Sequence, residues 1–209
     1  MRKTCPVSIL AVIALVAASY DAPVAAQTVL QEWANVKTPP APATKPVSLN
    51  PKTTALLMLD FMEQNCGKRP QCIATEPKVK TLLSEARTKG AAVVYSFIAN
   101  TTAADVRKEL APLPNEPSVV SGVDKFFRTD LEKILKERQI ETVIVVGTAA
   151  HGAVLYTASA AALRGMNVIV PIDGVSADPF PEQYTAWHLA NAPIISQKVT
   201  LTTIDDIKF

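Results

Sequence analysis

"VVGTAAHGAVLYTASAAALRG" (Val145–Gly165) is the stretch on which the fold turns. An apolar run, "ETVIVVG", stops at Gly147. After a short turn, "HGAVLYTASAAALRG" reads as a helix rich in small residues. Strand, tight turn and helix in direct succession form half of a parallel crossover unit, and the same alternation continues in both directions. "TALLMLDF" (residues 54–61), "AAVVYSFI" (91–98) and "MNVIVPID" (166–173) are continuous apolar runs, as expected of strands covered on both faces. "EPKVKTLLSEARTKG" sets Val79, Leu82, Leu83 and Ala86 at helical spacing and stops on Gly90. "RTDLEKILKERQ" carries Leu131, Ile134 and Leu135 on one face, "PEQYTAWHLANA" predicts a last helix, and "APIIS" a further short strand. The pattern predicts an α/β domain: a Rossmann-like three-layer sandwich whose central, mostly parallel sheet has helices on both faces.

Outside that region the composition changes twice. Arg2 and Lys3 precede the apolar "PVSILAVIALVAASY" (residues 6–20), and Val24-Ala25-Ala26 supplies small residues for cleavage. Residues 1–26 therefore read as a signal peptide cut after Ala26, too short in its apolar run for the ~20 residues of a membrane span. The expected location is periplasmic or secreted, with no membrane association once the signal is removed. Residues 27–52 form a second zone, with five of the sixteen prolines and few large apolar residues, and predict an extended proline-rich arm. Residues 53–209 are the domain proper.

Without residues 1–26 the chain keeps 19 basic and 18 acidic side chains. So even a balance argues against nucleic acid or an anionic membrane surface as partner, and leaves a small molecule. The cysteines that remain, Cys66 and Cys72 in "NCGKRPQC", predict a local disulfide in an oxidising compartment, with free thiols as the alternative. His151 and His188 lie far apart and outside any zinc-ligand spacing, so neither a metal nor another cofactor is expected.

In open parallel sheets, ligands sit beyond the carboxyl ends of the strands, where strand order reverses. That singles out Asp60, Asn100, the segment Thr148–Ala153 and Asp173. Asp60 ends an apolar strand. Its carboxyl is placed either to exchange protons in a partly dry setting or to cap the next loop. Amides around Gly152 and Ala153, at a helix start, are candidate donors to an anionic oxygen, with Thr148 and His151 beside them; tight packing of a small-residue helix is the alternative.

The run from "TALLMLDF" through "ELAPLPNEPSVVSGVDKFFRTDLEKILKERQIETVIVVGTAAHGAVLYTASAAALRGMNVIVPIDGVSA" resembles the isochorismatase-like hydrolase superfamily, the cysteine hydrolases. The resemblance spans nearly all of residues 53–209, and its most specific piece is the opening quotation with its pair Thr157-Ala158. It implies a frequently oligomeric α/β protein, here a homo-oligomer. It also implies a site of Asp, Lys and Cys beside a non-proline cis peptide near Thr148-Ala149. Asp60 matches the Asp. Ala153 falls where the cysteine belongs, so thiolate attack has no nucleophile there. Isochorismatases proper are similar in lacking that cysteine and having an Ala-His pair, here Ala150-His151; they protonate an enol carbon and add water. The family's lysine corresponds to Lys125 or, in another register, to Ser121 or Gly122. The Gln that commonly follows the Asp is Met62. Two functions stay open: a sulfur-free hydrolase of a small carboxylate, amide or enol ether, and a catalytically inactive relative that binds a small molecule or a partner.

Overall fold

The computed structural model describes residues 28–209; the expected signal peptide and its cleavage point lie outside the described residues. Residues 28–38 belong to a unit of their own, whose one helical turn is α1 (Val29–Glu32). Its start is capped reciprocally: the Thr28 amide donates to Gln31 Oε1 at 2.8 Å.

From Pro39 onward the chain makes nine strands: β1 (Val47–Ser48), β2 (Thr54–Leu59), β3 (Ala92–Phe97), β4 (Ser118–Val120), β5 (Thr142–Thr148), β6 (Asn167–Pro171), β7 (Val175–Ser176), β8 (Val199–Thr202) and β9 (Ile207–Lys208). Between them lie α2 (Pro70–Lys89), α3 (Leu131–Glu137), α4 (Leu155–Leu163) and α5 (Pro179–Asn191). The main sheet runs β4-β3-β2-β5-β6-β8, with β7 added beside β5, and every pairing is parallel.

Strand alternation divides the core cleanly. Ala55, Leu57 and Leu59 of β2, with Val143 and Val145 of β5, face α3, α4 and α5 through Leu131, Leu135, Ala158, Ala161 and Leu189. Leu56, Met58, Ile144 and Val146 face α2 through Val79, Leu82, Leu83 and Ala86. All six residues of β2 are buried, as an unbroken apolar run on a two-sided strand requires. Gly90 ends α2 in the left-handed conformation at φ 78°.

Four details differ from the sequence reading. α2 starts at Pro70, well before the apolar periodicity that opens at Val79, so that Cys72 lies in its first turn. The small-residue helix opens not as α-helix but as a π turn, Ala150–Val154. "APIIS" is not a strand: Ile195–Gln197 form a 3-10 turn and the edge strand is β8. From Pro39 the proline-rich arm belongs to the same unit as the sheet. Lys45 donates its amide to the Leu201 carbonyl at 2.9 Å, and β1 pairs in parallel with β9.

Chain order leaves β2 for β3 and β4 on one side, then returns to β5 and moves outward on the other. The reversal falls between β2 and β5, and Asp60 and the Thr148-Ala149 turn stand at the carboxyl ends of these two strands.

Candidate functional site

Asp60 is the first residue beyond β2, held at φ 58°, a backbone region costly for a residue with a β-carbon. Its side chain turns into the protein rather than out to solvent. Oδ2 accepts from Lys125 Nζ at 2.7 Å and Oδ1 accepts from the Ser96 hydroxyl at 2.8 Å. Lys125 comes from the loop between β4 and α3 and is fully buried. Its ammonium also donates to the carbonyls of Gly122 (2.6 Å) and Ser121 (3.5 Å), so three protons have three acceptors. The lysine beside Asp60 is thus Lys125. Ser121 and Gly122, the alternatives in the other register, serve as its acceptors.

The loop that brings Lys125 inward is pinned by Thr157 of α4. That hydroxyl accepts from the Lys125 amide at 3.2 Å and donates to the Val123 carbonyl at 3.3 Å. Sequence reasoning noted Thr157 only within a family pattern and missed Ser96. A lone hydroxyl near the end of the apolar run "AAVVYSFI" is the signal that would have found Ser96.

Burial pushes the Asp60 carboxyl above its ordinary range, against the opposing pull of Lys125 and the hydrogen bonds from Lys125 and Ser96. An acid so placed holds its proton to higher pH than a surface aspartate.

Just after β5 the Thr148-Ala149 peptide is cis. Gly147, at φ 142°, has a steric reason to be glycine: a β-carbon there would sit 2.1 Å from the Leu59 carbonyl oxygen, closing the approach of β5 to β2. Ala153 is buried.

Other expectations need correction. The Gly152 amide is not free to receive an anion; it closes a tight turn onto the Ala149 carbonyl at 3.0 Å. Nor is Gly152 small to admit a close neighbour in the chain, since a β-carbon there would meet nothing nearer than Val123 Cγ1 at 3.8 Å; it occupies a kink at φ −115°, ψ −106°. Asn100 stands on an exposed turn after β3, and its side chain forms no hydrogen bond among the described residues, so nothing ties it to the pair. His151 is exposed and faces a separate cleft with Arg69. Thr148 is buried, accepting from Arg69 Nη1 at 3.4 Å and donating to the Ser176 carbonyl at 3.2 Å. Asp173 needs no correction: its place in "PIDG" suits a turn-holding acid, and it accepts the Ile204 amide and pairs with Lys78.

Cys66 and Cys72 are joined in a disulfide with Cα atoms 5.2 Å apart. It closes the loop after Asp60 onto α2. Arg107 reinforces that loop by pairing with Glu63 and with Glu76, the latter at 2.6 Å. Met62 is buried and bridges to Val106.

Residues 54–203 match the family model described as "Isochorismatase domain". Solved structures share the fold. The N-carbamoylsarcosine amidase of Thermoplasma acidophilum is 21% identical with a TM-score of 0.64, over 73% of this chain and 97% of its own. An isochorismatase family protein of Burkholderia thailandensis is 21% identical with a TM-score of 0.66, over 78% and 97%. The nicotinamidase of Staphylococcus aureus is 21% identical with a TM-score of 0.61, over 66% and 92%. No curated protein sequence matches the chain.

Proposed function

The chain belongs to the isochorismatase family, and from that premise we propose that it is an exported hydrolase working by proton transfer at Asp60, without sulfur. The observation that carries this reading is the Asp60–Lys125 pair: a carboxylate and an ammonium buried together at 2.7 Å, with Asp60 at φ 58° just beyond the carboxyl end of β2. Two apolar side chains of similar volume would serve stability as well or better, so the pair's presence calls for a use beyond folding.

The chemistry needs no nucleophile from the chain. Protonated Asp60 gives its proton to the enol carbon of a small enol ether; water adds to the cationic carbon and returns a proton to the carboxylate. The adduct then collapses to a carbonyl compound and an alcohol, one water being consumed. On a small amide the same carboxylate takes a proton from the attacking water and delivers it to the leaving nitrogen. Oδ1, bonded only to the Ser96 hydroxyl, keeps a lone pair for this exchange, while Lys125 holds the ionised form in place. Export is supported by the basic and apolar residues at the start of the sequence and by the cysteine pair, which favours an oxidising compartment.

A second reading, a binding protein without catalysis, draws on the saturation of Lys125 and on Ala153. One assay separates the two. Wild type, Asp60→Asn and Ala153→Cys are tested on a panel of small primary amides and carboxylated enol ethers. The hydrolase reading expects turnover by wild type and a loss of roughly 100-fold or more in kcat for Asp60→Asn. Turnover of amides by Ala153→Cys alone establishes the binding protein.

A further inference from the structure

The helices on the two faces of the sheet meet solvent differently. On α2 the exposed positions include Lys78, Lys80, Glu85 and Lys89. On α5 the outward positions are aromatic. Phe180, Tyr184 and Trp187 recur at i, i+4 and i+7 and are 74%, 42% and 42% exposed, while Thr185 and Leu189 are buried on the opposite side. Besides His188, the one ionisable side chain in α5 with an acid or base near neutral pH is Glu182, and its Oε1 is taken by the Ala177 amide at 2.7 Å. Beside the aromatic stripe lies a groove of about 350 Å³, walled by Trp187 and Ala186 of α5, Ile172, Leu201 of β8, and Pro39 and Pro42 of the arm. Glu182 is the one charged residue that lines it, Gln183 stands at its wall, and Phe180 is not part of it. The helix therefore carries a protruding ring and, less than two turns further on, an apolar recess.

We propose that this surface docks a second copy of the chain about a two-fold axis, each copy setting its Phe180 into the other's groove. In a two-fold contact residue i meets j while j meets i, so one ring and one recess per copy satisfy both. Charge decides for this occupant. A charged stripe brought against itself meets its own sign, whereas the stripe on α5 has no charge to repel its copy, and charge-depleted, aromatic-rich surface is what forms the buried centre of interfaces. The extent is also adequate. At ~200 Å² per large side chain, the exposures of Phe180, Tyr184, Trp187 and Ile172 leave on the order of 400 Å² of apolar surface, about half of what each partner buries in a standard interface. The exposed polar residues Gln183 and Asn191 begin the rim that makes up the rest. Gln183 lies three residues from Phe180 and three from Ala186 in the groove wall, so it falls nearest the axis and meets the partner's Gln183.

The docking surface does not depend on the hydrolase reading, and its test is separate from it. Light scattering on the purified protein over a range of concentrations should give twice the chain mass, and the dimer should persist in high salt because no ion pair holds it. Phe180→Glu and Trp187→Glu should each weaken dimerisation at least tenfold while keeping the far-ultraviolet circular dichroism of wild type. Lys80→Glu, on the charged helix across the sheet, should dimerise as wild type does. Gln183→Cys should form a disulfide-linked dimer under mild oxidation, seen on a non-reducing gel, and Phe180→Glu in the same chain should abolish it. A monomer at every concentration would overturn the proposal, as would a dimer indifferent to both glutamate variants or Gln183→Cys dimers that fail to cross-link. A monomer that binds the apolar dye ANS, and loses it in Trp187→Glu, would assign the groove to a small apolar molecule instead.

Discussion

Two lysine–aspartate pairs in this protein have the same length and opposite settings. Lys125 Nζ lies 2.7 Å from Asp60 Oδ2, with the two side chains 0% and 6% exposed. Lys78 Nζ lies 2.7 Å from Asp173 Oδ2, with the side chains 48% and 24% exposed. Distance therefore says nothing about their difference; the surrounding medium does. Around Lys78, water screens the attraction and stands ready to solvate either partner alone. Around Lys125, each charge was desolvated to reach its place and depends on the other, on the Ser96 hydroxyl and on two carbonyls. Burial lifts the Asp60 carboxyl above its ordinary range despite the adjacent ammonium.

The largest break in this comparison comes from removing Lys125. Lys125→Met leaves a buried carboxylate alone and should lower unfolding free energy by about 3–5 kcal/mol at neutral pH, measured by denaturant titration. The double variant Asp60→Asn, Lys125→Met should regain much of that loss. If it regains none, Lys125 matters for packing and not for charge.

Ser96→Ala is next. It leaves Oδ1 without its donor, at a cost of about 1–3 kcal/mol. Its pH profile carries the sharper information. Because the folded state raises the Asp60 pKa, it binds that proton more tightly than the unfolded chain does. This contribution is full below the unfolded carboxylate pKa and is lost as pH rises through the folded one. Stability relative to Asp60→Asn should therefore fall with rising pH across that window, and Ser96→Ala should carry the fall to higher pH. A profile parallel to that of Asp60→Asn would mean that Asp60 is ionised throughout.

The smallest effect is expected at the surface. Lys78→Met should leave the melting curve unchanged within measurement scatter, and what little it does should vanish in high salt. A large loss there would show that the exposed network with Asp173 and Asp205 holds the α2 side of the sheet together.

Much of this was legible in the sequence because of how the sheet is covered. β2 and β5 are sealed on both faces, so their residues had to be continuously apolar, and Asp60 stood out as the acid at the end of such a run. The three-residue β4, and the two-residue β1, β7 and β9, carry no periodicity to read; their pairing depends on segments distant in the chain. The site divides the same way. Lys125 is polar, lies in a loop and resembles a surface residue until the Thr157 hydroxyl is seen drawing that loop inward. The expectation for the Gly152 amide failed because composition does not reveal the kink at Gly152, where the chain turns tightly enough for that donor to reach the Ala149 carbonyl.

The pairing of β1 with β9 has a consequence for the order of assembly. Val47 and Ser48 find their partners at Ile207 and Lys208, and the Leu49 amide bonds to the Lys208 carbonyl at 2.7 Å. During synthesis the early segment must wait, unpaired, until residues 207 and 208 have been made. The clasp then shuts last, and a chain interrupted before residue 207 would leave that early segment undocked, a readily cleaved mark of incompleteness.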